Sequence, residues 1–157
     1  VSVEERITPG ARRSQSERRA ETRGRLLDAT VESLITVGYA GTTIRHVTEL
    51  AGVSQGAQSH HFPHRVDLVV SAFERLAEQR VERYGERARE LSGERETRLR
   101  ALLDLLWEDF SSTVFTVAVK LWVAAAEDEE LRRRLVPVER RIHANMARLS
   151  AEVAGDY

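Results

Sequence analysis

Between Thr42 and Phe62 the sequence spells two short helices around a tight turn, and few folds accommodate that unit. Ile44, Val47, Leu50 and Ala51 recur at helical spacing, so one face of Thr43–Ala51 is expected to be apolar. Thr43 stands where a hydroxyl accepts from a free N–H at a helix start. Gly52 falls where a chain leaving a helix often takes a positive φ. Val53 is placed to turn back into the core, and Ser54 supplies a second cap ahead of about two helical turns. A helix, a turn with Gly and a short second helix form the helix-turn-helix pattern, whose second helix enters the DNA major groove.

The remainder of the 157 residues reads as helix. Residues 1–15 contain Pro9-Gly10 and little periodicity, and are read as a flexible arm, either a solvated tail or one from which Arg12 and Arg13 reach DNA. A first helix is expected over 16–37, with Leu26, Leu27, Thr30, Val31 and Leu34 inward and Gly38 ending it. Tyr39 is expected to pack in the corner that follows. A long helix is expected over 64–91, apolar at Leu68, Val69, Ala72, Phe73 and Leu76, then a polar connector beyond Ala77. Leu99 to Phe110 is dense enough in apolar residues to predict a mostly buried helix. Ser111-Ser112-Thr113 breaks or caps the chain before Val114–Ala126, which is apolar on nearly all sides. A final helix is expected over 128–153, kinked or loosened at Pro137. No stretch alternates with period two, so the fold class is all-α.

Composition sets limits on chemistry and compartment. Cysteine is absent, which excludes disulfides and thiolate metal sites and agrees with a cytoplasmic protein. No apolar run approaches the ~20 residues of a membrane span, and no apolar leader opens the sequence. The net charge is −1, but its distribution is uneven: residues 1–65 hold nine Arg against seven acidic residues, and the rest fifteen basic against eighteen acidic. A mildly basic front with clustered histidines suits phosphate binding.

Leu26-Leu27-Asp28-Ala29, Gly38-Tyr39, Thr42-Thr43-Ile44, Ala51-Gly52-Val53-Ser54, Gly56-Ala57 and His60-His61-Phe62-Pro63 together resemble the TetR family of transcriptional regulators. The resemblance covers about residues 16–75. It implies a flexible arm (1–15), a three-helix helix-turn-helix DNA-binding domain (16–63), and a connector helix leading to a helical ligand-binding and dimerisation domain (64–157). It also implies that Gln55 and Gly56 lie deepest in the groove, with Ala57 beside them and Ser59 one turn on. Gln55 would read a base edge, since a side-chain amide pairs with N6/N7 of adenine. Arg45 would reach a base or phosphate, and Thr43, Ser54, His61 and Arg65 would contact phosphates, with His60 nearby. Many family members carry Leu-Tyr where this sequence has Gln58-Ser59, so Gln58 must be partly solvated or hydrogen-bonded. The family adds C-terminal dimerisation helices, so on this resemblance either the chain is truncated at its C-terminus or the dimer interface comes from the Asp128–Val153 helix or elsewhere.

The expected function is a ligand-responsive regulator, a repressor binding a palindromic double-stranded DNA operator as a homodimer. Its effector would be a small apolar or aromatic molecule in a cavity lined by Trp107, Phe110, Phe115, Trp122, His143 and Met146. Packing alone accounts for the same aromatics. One alternative is a DNA-binding regulator without a small-molecule ligand, controlled by a protein partner. A more distant one is a metal enzyme using His60, His61 and His64, against which stand the lack of an HExxH motif and Pro63 breaking the helical register. No nucleophile elbow, phosphate loop or dinucleotide fingerprint occurs, so neither enzyme activity nor a cofactor is expected. The Glu127–Glu130 run is expected to cap a helix.

Overall fold

A capping box decides where the first helix begins. Ser14 Oγ accepts from the Glu17 amide at 3.1 Å, and the Glu17 carboxylate accepts from the Ser14 amide at 2.6 Å, satisfying two amides that a helix start otherwise leaves open. The computed structural model describes residues 14–155, and their regular structure is helical throughout: α1 (Gln15–Thr36), α2 (Gly38–Gly41), α3 (Ile44–Ala51), α4 (Gln55–His61), α5 (Arg65–Glu90), α6 (Arg95–Phe110), α7 (Thr113–Glu127) and α8 (Glu129–Ala154). The all-α expectation holds. Residue 15, assigned to the arm from sequence, opens α1 instead; Arg12 and Arg13 lie outside the described residues.

Two apolar clusters hold these helices, and α5 contributes to both. In front, Leu26, Leu27 and Ala29 of α1, Val47 and Ala51 of α3, and Leu68 and Ala72 of α5 close around Phe62. Leu50 was expected in this core but is 43% exposed. Ile44, Val47, Thr48 and Ala51 form the tighter i, i+3, i+4, i+7 set, and Thr48 tolerates burial because its Oγ1 donates to Arg45 O at 2.9 Å. The opposite side of α5, through Val69, Phe73 and Ala77, packs with Leu34 of α1 and with α6, α7 and α8. Apolar packing therefore crosses the boundary drawn between residues 63 and 64.

The rear cluster is organised by α5 and α8, which lie side by side and run in the same direction. Asp67 pairs with Arg134, Glu74 with Arg141, and Tyr84 OH with Ser150 Oγ at 2.9 Å, in matching chain order. The inner edge of α8 is Leu131, Leu135, Val138, Ile142, Met146 and Leu149, all buried at spacings of three and four. Beyond Ala77, α5 is polar as expected of a connector, but it keeps a buried stripe that its charges did not announce. Tyr84, Gly85 and Ala88 are buried, a small-residue stripe among the charges, and a Cβ on Gly85 would lie 3.2 Å from Leu149.

The mostly buried helix expected over Leu99–Phe110 is not what the structure shows. Only Leu102 and Leu105 of α6 are buried; Leu103, Trp107 and Phe110 face outward, because α6 leans on α8 and α5 from one side only. Ser112 does cap α7, its Oγ accepting from the Phe115 amide at 3.2 Å. Asp128 caps α8 through the Leu131 amide at 2.9 Å. α8 continues unbroken through Pro137, which sits on its exposed face. Among the described residues no single helix is long and apolar enough to cross a membrane.

Gly52 is where the front unit demands a particular backbone. It leaves α3 at φ 59°, in the left-handed region that costs other residues about 1–2 kcal/mol. Its carbonyl and that of Ala51 both accept from the Arg25 guanidinium, and a Cβ would lie 3.0 Å from that group. Gly52→Ala should lower stability by about 1–2 kcal/mol. Thermal unfolding should register this as a loss of roughly 2–4 °C per kcal/mol for a chain of this size.

Candidate nucleic-acid interface

The helix-turn-helix is set by two hydroxyl caps. Thr43 Oγ1 accepts from the His46 amide at 3.1 Å, and Ser54 Oγ accepts from the Ala57 amide at 3.2 Å. Both residues remain exposed, so capping does not withdraw them from the surface. Arg45 is exposed on α3 and donates from Nε to Glu49 Oε1 at 2.9 Å, a helical pair that steadies a long side chain.

α4 is fastened underneath and left bare on top. Gln58 is only 3% exposed, and its Nε2 donates to Phe62 O at 2.7 Å. The hydrogen-bonded arm of the sequence expectation is therefore correct and the solvated arm is not: the amide closes the last turn of α4, where a leucine would simply fill space. Val53 packs against the front cluster beside it. On the other face Gln55, Gly56 and Ser59 are exposed and Ala57 is half-buried. A Cβ on Gly56 would meet nothing within 4 Å, so none of the described residues covers this face there. Ser59 Oγ donates to Gly56 O at 3.0 Å.

Arg65 has a second task besides any phosphate contact. Its Nε donates to Thr42 O at 2.7 Å, a second nitrogen donates to Tyr39 O, and its guanidinium lies 4.0 Å from the centre of the Tyr39 ring. Tyr39 is indeed a corner residue, though more than packing holds it. Its hydroxyl donates to Asp128 Oδ2 at 2.7 Å. Burial, then this bond, pushes the Tyr39 phenol up to about 12. The Leu131 amide, then Tyr39, holds the Asp128 carboxyl below the ordinary aspartate range.

The histidines meet α1 at the far end of α4. His60 Nε2 contacts an Arg19 nitrogen, and the His60 and His61 rings stand edge-on at 5.8 Å. Arg23 lies 5.2 Å from the centre of the Phe62 ring. Burial lowers the His61 pKa, with smaller contributions from His60, Arg19 and Arg23. His64 opens α5 without a side-chain cap bond, so His60 and His64 do not share a helix. Among the described residues no group of three His, Asp or Glu side chains is placed to hold a metal ion. Arg19 and Arg23 were missed from sequence. Their four-residue spacing on the polar side of α1 was the available signal, but only packing brings that side beside α4.

The six residues expected to enclose an effector are not gathered into one cavity. Met146 is buried in the rear cluster, whereas Trp107 and Phe110 are 73% and 55% exposed. Phe115 stands edge-on between Phe110 at 5.0 Å and Trp122 at 5.9 Å, making an aromatic row on the outside of α6 and α7. Trp122 Nε1 donates to Glu139 Oε1 at 2.8 Å. His143 is exposed one turn along α8 from Glu139.

Residues 26–72, the front unit just described, match the family model of bacterial regulatory proteins of the tetR family. That front unit is the DNA-binding unit of the TetR family. The HTH-type transcriptional regulator CymR of Pseudomonas putida is 43% identical over 121 residues, covering 77% of this chain and 59% of CymR. The HTH-type transcriptional regulator BetI of Ectopseudomonas mendocina is 32% identical over 129 residues, covering 79% of this chain and 65% of BetI. The chain thus spans less than two thirds of the length of these curated relatives. Among solved structures, the multidrug binding protein EbrR complexed with imidazole aligns with TM-score 0.65 and 27% identity, over 96% of this chain and 78% of that one.

The environment of His61 makes a measurable prediction for this TetR-family front unit. With its folded pKa below the ordinary 6.5, the unfolded state binds more protons between the two values, so stability should fall as pH drops through that window and recover above it. Arg19→Gln removes one of the charges that disfavour the His61 cation. NMR titration should therefore place the His61 midpoint higher in Arg19→Gln than in the parent; an unchanged midpoint would take Arg19 out of that environment.

Proposed function

We propose that this chain is a cytoplasmic transcriptional repressor that binds a palindromic double-stranded DNA operator as a homodimer and responds to a small effector. The observation that carries the DNA-binding reading is the uncovered face of α4. Gln55, Gly56 and Ser59 are exposed there while buried Gln58 and the Ser54 cap hold the helix in place. Gln55 is assigned to base reading, because its amide can donate and accept at one adenine edge. Gly56 and Ala57 let the backbone approach closely and offer contact to a thymine methyl. Thr43, Arg45, Ser54, His60, His61 and Arg65, joined by Arg19 and Arg23, are assigned to phosphates around that helix.

Dimerisation is the reading that the aromatic row supports. Trp107, Phe110 and Trp122 with Leu103 and Val123 are all exposed on α6 and α7, and contiguous apolar surface of that kind marks contact sites on proteins. Two copies would set their α4 helices about one DNA turn apart, ~34–36 Å. The rear unit, 64–157, is assigned to effector and partner, and the front, 16–63, to DNA. α5 shares both cores, so a shift of α5 favoured by one ligand state changes the α4 spacing.

Binding of the purified chain to the DNA upstream of its own gene, against random DNA across a salt series, tests the reading. Specific binding at moderate salt with two chains per site is expected. Gln55→Ala should lose about 1–3 kcal/mol of discrimination, whereas Arg19→Gln should weaken both DNAs alike and reduce the salt slope by about one. Equal and steeply salt-dependent binding to both DNAs would leave only phosphate contact and overturn the operator assignment.

A further inference from the structure

A cleft between α5, α6 and the start of α7 joins apolar walls to a row of guanidinium groups. Arg80, Arg83 and Arg87 recur at i, i+3 and i+7 along α5 and line a cavity of about 210 Å³, with Leu105 and Val114 as apolar walls. Arg80 is fixed at the floor, where its guanidinium meets both carboxylate oxygens of Asp109 fork to fork. The two side chains are only 15% and 10% exposed. Arg87 pairs with Glu108 at the more open rim. Arg83 has neither a hydrogen bond nor an ion pair among the described residues. The lining thus holds three arginines against two carboxylates, Glu108 and Asp109, and the surplus cation is the unpaired one.

We propose that this cleft binds a small organic acid, with the apolar body between Leu105 and Val114 and the carboxylate on Arg83. A dry cavity of about 150 Å³ admits benzene, so this one has room for a ring or a short alkyl chain bearing one carboxylate. Arginine suits that group because its planar fork matches a carboxylate bidentately. Arg87 is the second contact, since Glu108 is exposed and can release it to water at little cost. Such an acid would bridge the two helices that Arg80–Asp109 and Arg87–Glu108 already tie together. The proposal rests on the effector reading above and gives it a chemical class: an anion, not a neutral aromatic.

Calorimetric titration of the full chain with benzoate and hexanoate, against benzamide, hexanamide and acetate, tests the site. The two larger acids should bind saturably, one per chain, and raise the unfolding temperature. The amides lack the charge and acetate lacks the body, so each should bind at least tenfold more weakly. Arg83→Gln should cost at least tenfold in acid affinity without changing the unliganded unfolding temperature or operator binding, and Arg83→Lys should restore part of the loss. Amides binding as well as acids, acids binding Arg83→Gln as well as the parent, or no saturable binding by either acid would each overturn the proposal. Acid binding through Arg83 that leaves operator affinity unchanged would uphold the site and overturn its role as an effector site.

Discussion

The guanidinium of Arg65 lying on the Tyr39 ring is a polar contact through which the front of this protein meets its rear. One cation serves three purposes: it covers the aromatic face at 4.0 Å, and it donates to carbonyls of Tyr39 and Thr42, the two sides of the corner before α3. The ring it covers then sends its hydroxyl to Asp128, whose other oxygen caps α8. A hydrogen bond to a charged group contributes about 1.5–3 kcal/mol and a cation over an aromatic face about 0.5–2. The node therefore ranks among the stronger polar interactions available to a domain of this size. Lys120 adds a parallel tie from α7, donating to Ile35 O at 2.7 Å near the end of α1. Both ties use the open carbonyls or amides of helix ends, the groups with most to gain from a partner.

That anchoring matters because the element that would meet DNA is too short to hold itself. α4 has seven residues, well under the length at which an isolated helix persists in water. Its geometry comes from outside: the Ser54 cap, the Gln58 amide on Phe62, and Phe62 itself at the centre of the front cluster. Stability is thus built on the inner face and chemistry is kept on the outer one, where Gln55, Gly56 and Ser59 carry no packing duty. The rear unit repeats the division at larger scale, with α5 and α8 buried along a parallel seam while α6 and α7 leave an aromatic surface exposed.

Several of these arrangements were legible in the residues because their causes are local. Caps at Thr43, Ser54 and Asp128, the left-handed exit at Gly52 and the spacing of Leu26, Leu27 and Leu34 depend on neighbours within one or two helical turns. Burial in α5 and α6 was not legible, since hydrophobic density says what a helix can bury and not what arrives to cover it. Leu103 and Trp107 look like core residues but face outward, whereas the charged stretch around Tyr84 and Gly85 hides a narrow inward stripe. Leu50 lost its place to Thr48 because a side chain that bonds to its own helix can be buried at little cost.

By itself, the sequence determined an all-α chain, the helix-turn-helix with its caps and turn, and the family to which residues 26–72 belong. Those follow from short-range spacing, which survives without any knowledge of contacts. Only the tertiary structure decided that Arg65 ties helices together, that Arg19 and Arg23 stand beside α4, and that the rear aromatics form a surface row. It also decided that Arg80, Arg83 and Arg87 face a cleft. Each of these depends on residues brought together from distant parts of the chain, and the relative rotation of two packed helices is set by the whole core, not by the pattern along either one.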